Sequence, residues 1–229
     1  MRKLAVIGLG HVGATVAYTL VTKGLVDELV LIDKNEDKVI AEQYDLLDML
    51  ARIDTSTKIK IQDYASLKDA DVIITTFGNI RALSDGGNRF GEFDHNVAQV
   101  KEVGQKIKES GFNGVIVNVT NPCDVIATLL VRYTGLPHNQ VVGTGTFLDT
   151  ARMQRAVGQA LGEDPKNVTG YVLGEHGESQ FTAWSTVRVK DHPMAEVAAE
   201  KQLDLPNLDN QARRGGWLVF HGKKFTSYA

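Results

Sequence analysis

The chain has 229 residues, 43% hydrophobic and 23% charged, which is the composition of an ordinary globular protein with one large domain or two smaller ones. A net charge of -3 and a pI of about 6.1 offer no basic surface for nucleic acid or for an anionic membrane. Cys123 is the single cysteine, so no intramolecular disulfide can form, and a reducing, cytoplasmic setting is expected. The apolar run after the basic N-terminal residues is too short for a secretion signal, and no stretch approaches the roughly 20 apolar residues of a membrane span.

Leu4-Ala5-Val6-Ile7 is apolar without alternation, as expected of a parallel strand buried on both faces. A glycine loop follows, then a predicted helix from Ala14 that ends near Gly24. Leu29-Val30-Leu31-Ile32 reads as a second strand, closed by Asp33. A polar helix is predicted from about Glu36, with Val39, Ile40, Tyr44, Leu47 and Leu50 at helical spacing. Further buried strands are predicted over 72–76, 114–119 and 140–143, with helices at about 92–110 and 123–133. This alternation predicts an α/β fold, a Rossmann-type doubly wound parallel sheet over residues 1–145. The pattern then changes. A helix at about 147–161, strands over 168–173 and 183–189, a hairpin arm between Val187 and Pro193 and a mixed segment to Ala229 predict a second, α+β domain over 146–229.

The loop Gly8-Leu9-Gly10-His11-Val12-Gly13 follows a strand, opens a helix, and is answered by Asp33 at the end of the next strand. This is the full context a dinucleotide site requires, with the acidic residue about 20 positions beyond the last glycine. Gly8 permits the turn, Gly10 lets the backbone approach a pyrophosphate, and Gly13 lets helix and strand pack closely. The helix N-terminus, entered through His11 and Val12, presents N–H groups to phosphate. Asp33 accepts ribose hydroxyls and disfavours a 2′-phosphate, so NAD is the expected cofactor.

Four polar clusters sit where strands end, and strand ends are where open α/β sheets bind ligands. The loop from Gly78 to Gly91 is rich in glycine and brings Arg81 and Arg89, cationic donors for an anionic or carbonyl substrate. Asn121, in Asn118-Val119-Thr120-Asn121-Pro122-Cys123-Asp124, is placed to bond a nicotinamide or substrate oxygen, whereas Cys123 reads as structural. Asp149 and Arg152 share a helix face at three-residue spacing. His176 lies between glycines straight after an apolar strand. The histidines form no metal-ligand spacing, so no metal is expected.

Taken together, these motifs resemble the L-lactate/malate dehydrogenase superfamily, most closely its L-2-hydroxyisocaproate dehydrogenases. The resemblance also rests on Gly143-Thr144-Gly145-Thr146-Phe147-Leu148-Asp149-Thr150-Ala151-Arg152, on Leu173-Gly174-Glu175-His176-Gly177-Glu178-Ser179-Gln180 and on Phe225-Thr226-Ser227-Tyr228-Ala229. It implies interconversion of small 2-hydroxy and 2-oxo acids by hydride transfer with NAD. His176 matches the family's acid/base, Asp149 its carboxylate partner, and Arg152 the fork that grips the substrate carboxylate. Arg89 matches the arginine that polarises the carbonyl, Asn121 a residue touching substrate and nicotinamide, and Thr226 one lining the side-chain pocket. Counting forward from Gly78 puts Arg81 on the specificity position, where arginine goes with malate. Counting back from Arg89 puts Leu83 there, which suits a branched apolar acid and agrees better with the other motifs. Family chains continue beyond the Thr-Ser-Tyr-Ala motif, so a truncated substrate domain is expected, with an NAD-binding remnant lacking turnover as the alternative. The resemblance further implies a homo-oligomer, a tetramer or dimer.

Overall fold

The computed structural model describes residues 1–78 and 93–225. They fall into two compact units, one spanning Met1–Gly143 and the other beginning at Thr144.

The first unit is built on six parallel strands, β1 (Lys3–Ile7), β2 (Glu28–Ile32), β3 (Lys58–Ile61), β4 (Val72–Thr75), β5 (Val115–Asn118) and β6 (Val141–Gly143), in the order β3-β2-β1-β4-β5-β6. This is the expected doubly wound sheet, with its switch point between β1 and β4. The unalternating apolar strands are explained by two separate cores. Val6, Leu29 and Leu31 pack on one face with Ala17 and Val21 of α1 (His11–Thr22) and Val39 and Leu46 of α2 (Glu36–Leu50). Ala5, Ile7, Val30, Ile32, Ile73 and Ile116 pack on the other with Val100 and Ile107 of α3 (Phe93–Ser110) and Ile126 and Leu130 of α4 (Cys123–Thr134). Burying strands on both faces removes all polar alternation from them. The registers align Ile32, Ile7, Thr75, Asn118 and Gly143 in one row across the carboxyl edge of the sheet.

In the second unit, α5 (Phe147–Leu161), α6 (Met194–Lys201) and α7 (Leu205–Lys223) surround short strands, β7 (Val168–Thr169), β8 (Val172–Leu173), β9 (Phe181–Thr182), β10 (Arg188–Val189) and β11 (His192–Pro193). Its own core includes Met153, Val157, Val168, Val172, Val187, Met194 and Leu208.

Several expectations are corrected. The strand expected over 168–173 is two strands in different sheets. Gly170 breaks it, with φ +126° and no room for a Cβ, which would stand 2.7 Å from Val187 Cα. The strand expected over 183–189 begins instead as a 3-10 turn at Trp184–Thr186 and becomes strand only at Arg188. The hairpin arm is present, with Arg188 opposite Pro193 and Val189 opposite His192. Lys190 and Asp191 turn it with φ of 47° and 68°, the left-handed pair a tight hairpin needs. On α2 the buried face is Val39 and Leu46, while Ile40, Tyr44 and Leu47 are exposed. Edge strand β3, a short Lys-Ile alternation, was not anticipated.

At the amino edge of the sheet, Glu28 and Lys3 are only 4% and 5% exposed. Glu28 Oε1 accepts from Lys3 Nζ and Lys60 Nζ, each at 3.0 Å. Burial pushes the Glu28 carboxyl up, but the hydrogen bonds and charges of Lys60 and Lys3 outweigh it and hold it below its ordinary range. The unfolded chain therefore binds that proton more tightly than the folded one. Its stabilisation is complete above the ordinary carboxylate range and is lost as pH falls through the lowered value. Glu28→Ala strands Lys3 as a buried unpaired charge, so urea unfolding should show a loss of about 3 kcal/mol. A loss under about 1 kcal/mol, the value of an exposed pair, would show that the cluster is effectively solvated.

Candidate active site

In the first unit, the glycine loop leaves β1 at the carboxyl edge. Gly8 N donates to Ile32 O at 2.7 Å, and Gly8 has φ +98°. A Cβ at Gly8 would stand 2.5 Å from Phe77 N, and one at Gly13 would stand 1.8 Å from Gly8 O. The fold itself requires both glycines. Gly10 is different. Its φ is -63°, which any residue adopts, and among the described residues a Cβ there would meet nothing within 4 Å. The chain does not need a glycine at position 10, so its bare backbone fits a group that approaches from outside. Asp33 Oδ2 accepts from Leu9 N at 2.6 Å and Oδ1 from Asn35 N at 2.9 Å. Each carboxylate oxygen keeps a second acceptor site for a ligand hydroxyl. His11, the first residue of α1, is exposed, and Val12 is partly so.

Further along the same edge, Asn121 follows β5 and is exposed. Its carbonyl accepts from Asn96 Nδ2 of α3 at 2.7 Å. Asn96 also borders Gly78, whose Cβ position lies 3.8 Å from Asn96 Nδ2. The turn is held from below by fully buried Asn118. Its Oδ1 accepts from Thr75 Oγ1 at 2.9 Å, and its Nδ2 donates to the carbonyls of Thr120 and Cys123, each at 3.0 Å. Asn96 Oδ1 and Thr120 Oγ1 are buried and have no hydrogen-bond partner among the described residues. Two such atoms beside Asn121 fit a polar ligand. Cys123 is buried at the start of α4.

In the second unit, Asp149 lies in the first turn of α5 and is 1% exposed. Thr146 and Thr150 flank it. Thr146 Oγ1 donates to Val172 O at 2.6 Å, and Thr150 Oγ1 accepts from Val172 N at 3.0 Å, tying α5 to β8. The segment between the paired strands β8 and β9 then carries His176 to Asp149. His176 Nδ1 lies 2.5 Å from Asp149 Oδ2, and Arg152 Nη1 donates to Oδ1 at 2.9 Å. An ionised carboxylate only accepts, so Nδ1 carries the proton of this contact. Burial pushes the Asp149 carboxyl up, but the hydrogen bond and charge of His176, then those of Arg152, more than offset this and hold it low. Arg152 lies against Gly215 and Gly216 of α7, where a Cβ would stand 3.1 Å from Cδ and 3.2 Å from Nη2 respectively.

The structure thus brings together His176, Asp149 and Arg152 in one unit, and Gly8, Gly10, Gly13 and Asp33 in the other, with Gly78 and Asn121 joined through Asn96. Arg81, Leu83, Arg89 and Thr226 lie outside the described residues. Among the described residues, no group of three or more His, Cys, Asp or Glu side chains is placed to hold a metal ion, and no helix is long and apolar enough to cross a membrane.

Comparison with known proteins gives this arrangement a family. The pattern described as lactate/malate dehydrogenase, NAD binding domain, matches residues 2–143, and that of the lactate/malate dehydrogenase alpha/beta C-terminal domain matches residues 146–226. The chain belongs to the lactate/malate dehydrogenase family. It is 46% identical to L-lactate dehydrogenase 1 of Bifidobacterium longum over 232 residues, which cover 99% of this chain and 73% of that protein. Among solved structures, the ligand-bound minor L-lactate dehydrogenase of Enterococcus mundtii is similar with a TM-score of 0.92 at 34% identity, covering 99% of this chain and 73% of that one. The lactate dehydrogenase of Cryptosporidium parvum, solved with lactic acid and nicotinamide adenine dinucleotide, gives a TM-score of 0.92 at 27% identity, covering 99% of this chain and 72% of that one. The chain is an NAD-dependent 2-hydroxy acid dehydrogenase, acting on small 2-hydroxy and 2-oxo acids.

The supporting residues of this dehydrogenase were not singled out from the sequence, although two left a signal. Asn118 is a polar residue ending an otherwise apolar buried strand. Asn96 falls on the buried stripe of α3 that continues through Val100, Gly104 and Ile107. Thr76, whose Oγ1 donates to Gly8 O at 2.6 Å, and Gln62, whose Nε2 donates to Asp33 O at 2.7 Å, carry no such mark.

Proposed function

We propose that this dehydrogenase reduces 2-oxo acids with small or branched apolar side chains, of the isocaproate or pyruvate type, with His176 as acid/base. The observation carrying this reading is the His176–Asp149–Arg152 constellation. With Nδ1 committed to Asp149, Nε2 is the nitrogen that gives a proton to the carbonyl oxygen in reduction and takes it back in oxidation. The Asp149 carboxylate fixes the ring and balances the imidazolium. Arg152 has five donors and engages one with Asp149, leaving a fork for the substrate carboxylate. NADH, when bound, supplies the hydride.

For the remaining residues, Gly8, Gly10, His11, Val12, Gly13, Asp33 and Gly78 are assigned to the cofactor, and Asn121 to nicotinamide and substrate. Arg89 is assigned to polarising the carbonyl, and Leu83 and Thr226 to the side-chain pocket. Residues 1–145 form the NAD domain and 146–229 the substrate domain. The exposed apolar stripe Ile40, Tyr44 and Leu47 supports self-association into a homo-oligomer, and the lone cysteine supports a cytoplasmic setting.

The test is NADH oxidation across a panel of 2-oxo acids, run on this chain and on a C-terminally extended form. A higher kcat/KM for 4-methyl-2-oxopentanoate or pyruvate than for oxaloacetate is expected. Preference for oxaloacetate would establish the second reading, malate chemistry through Arg81, and Arg81→Gln should then erase that preference. NADH binding without turnover in this chain, with turnover in the extended form, would identify it as a cofactor-binding remnant.

A further inference from the structure

Gln180 is 5% exposed, in the same β8–β9 segment as His176. A buried amide must find partners, and its two orientations are not equivalent here. With the carbonyl toward Asp149, acceptor would face acceptor. With the nitrogen toward Asp149, it donates to Oδ2 at 3.3 Å and Oδ1 at 3.2 Å, and that is the orientation the hydrogen bonding supports. Asp149 then receives three donors, two of them the charged or chargeable groups Arg152 and His176, and the third neutral.

We propose that Gln180 is a positioning residue for the acid/base pair, its amide holding Asp149 in place and drawing off carboxylate charge that would otherwise act on His176. The proposal rests on reading His176 and Asp149 as that pair. A neutral donor on the carboxylate takes up part of its charge, so removing that donor leaves more of the Asp149 charge to act on the imidazole ring. Among the described residues, the other charged groups around this segment include Arg152 from α5, Glu175 and Glu178 within it, and Asp209 and Arg213 from α7. Arg213 Nη1 donates to Glu178 O at 3.3 Å, and Asp209 Oδ1 accepts from Thr182 Oγ1 at 2.5 Å. Substitutions at position 180 leave all of these in place.

The test follows the His176 imidazole by NMR titration, its signal identified by its loss in His176→Asn, in the unaltered chain, in Gln180→Leu and in the isosteric Gln180→Glu. Leucine removes the donor, and the midpoint should rise by about half a pH unit, the scale of one neutral hydrogen bond. Glutamate places a second carboxylate against Asp149, and the rise should be about one unit or more. The pH limb of kcat/KM for 2-oxo acid reduction should move in the same direction. A purely structural glutamine would lower the melting temperature of Gln180→Leu and leave its midpoint at that of the unaltered chain. Should Gln180→Leu fail to fold, Gln180→Met, which also lacks the donor and adds no charge, carries the measurement. Midpoints in the folded variants that coincide with the unaltered chain overturn the proposal. Turnover retained in His176→Asn overturns the acid/base reading instead, independently of where those midpoints fall.

Discussion

Replacing His176 with asparagine should lower kcat/KM for 2-oxo acid reduction by about 10³-fold, the scale of a lost general acid, while NADH binding stays within about twofold. Asparagine is the informative choice because its amide N–H can still donate toward Asp149, so the buried carboxylate keeps a partner. What it cannot do is hand a proton to a carbonyl oxygen. The fold and one hydrogen bond to Asp149 are therefore preserved, with Arg152 still paired to the carboxylate, and the loss should fall on turnover. NADH binding, followed by quenching or by calorimetry, reports on the NAD binding domain, which matches residues 2–143 and forms a separate compact unit. Turnover within about tenfold of the unaltered chain would sink the assignment of His176, since general acid/base catalysis is worth at least a hundredfold in comparable systems.

The second large effect separates two glycines in one loop. In Gly13→Ala the new methyl would stand 1.8 Å from Gly8 O and 2.6 Å from Thr76 Oγ1. Backbone and threonine must give way, which costs about 1–3 kcal/mol of stability as overpacking does. The displaced loop should lose about a hundredfold in NADH affinity, the scale of an ångström-size misplacement. In Gly10→Ala the methyl meets nothing within 4 Å among the described residues, so the melting temperature without cofactor should not change. Its effect should appear only as weaker NADH binding, because the approach of the pyrophosphate is what the methyl obstructs. A Gly10→Ala protein with unaltered NADH affinity would refute the idea that position 10 is kept bare for the cofactor.

How much of this was legible in the sequence depended on how local the signal was. The strands β1 and β2 declared themselves because both faces are buried, and β4 and β5 because their runs are aliphatic up to Thr75 and Asn118. Strand β3 did not, because an edge strand of Lys-Ile alternation resembles many loops. On α2 the helix was legible but its inner face was not, since Ile40, Tyr44 and Leu47 are apolar and yet exposed. Val168 to Leu173 reads as one strand until Gly170 adopts a positive φ against Val187. The glycine loop and Asp33 were readable from spacing alone. His176 and Asp149 are 27 residues apart, and only the family resemblance linked them before the contact was seen. Gln180 gave less still, since a lone glutamine has no periodicity and its meaning comes entirely from what its amide faces.

The row of strand ends across the sheet also bears on how reliably the chain assembles. Thr75 and Asn118 are register partners and share a buried hydrogen bond of 2.9 Å. Were β5 to pair with β4 one residue out of step, an aliphatic side chain would replace one member of that couple. The other would be left unsatisfied, at about 1–3 kcal/mol, and every inward residue of the strand would turn to the wrong face. The same slip would move Thr120 and Asn121 one notch away from Asn96. Thr75 and Asn118 thus serve as a registration mark, so that a sheet paired out of step is disfavoured at the edge from which the cofactor loops depart.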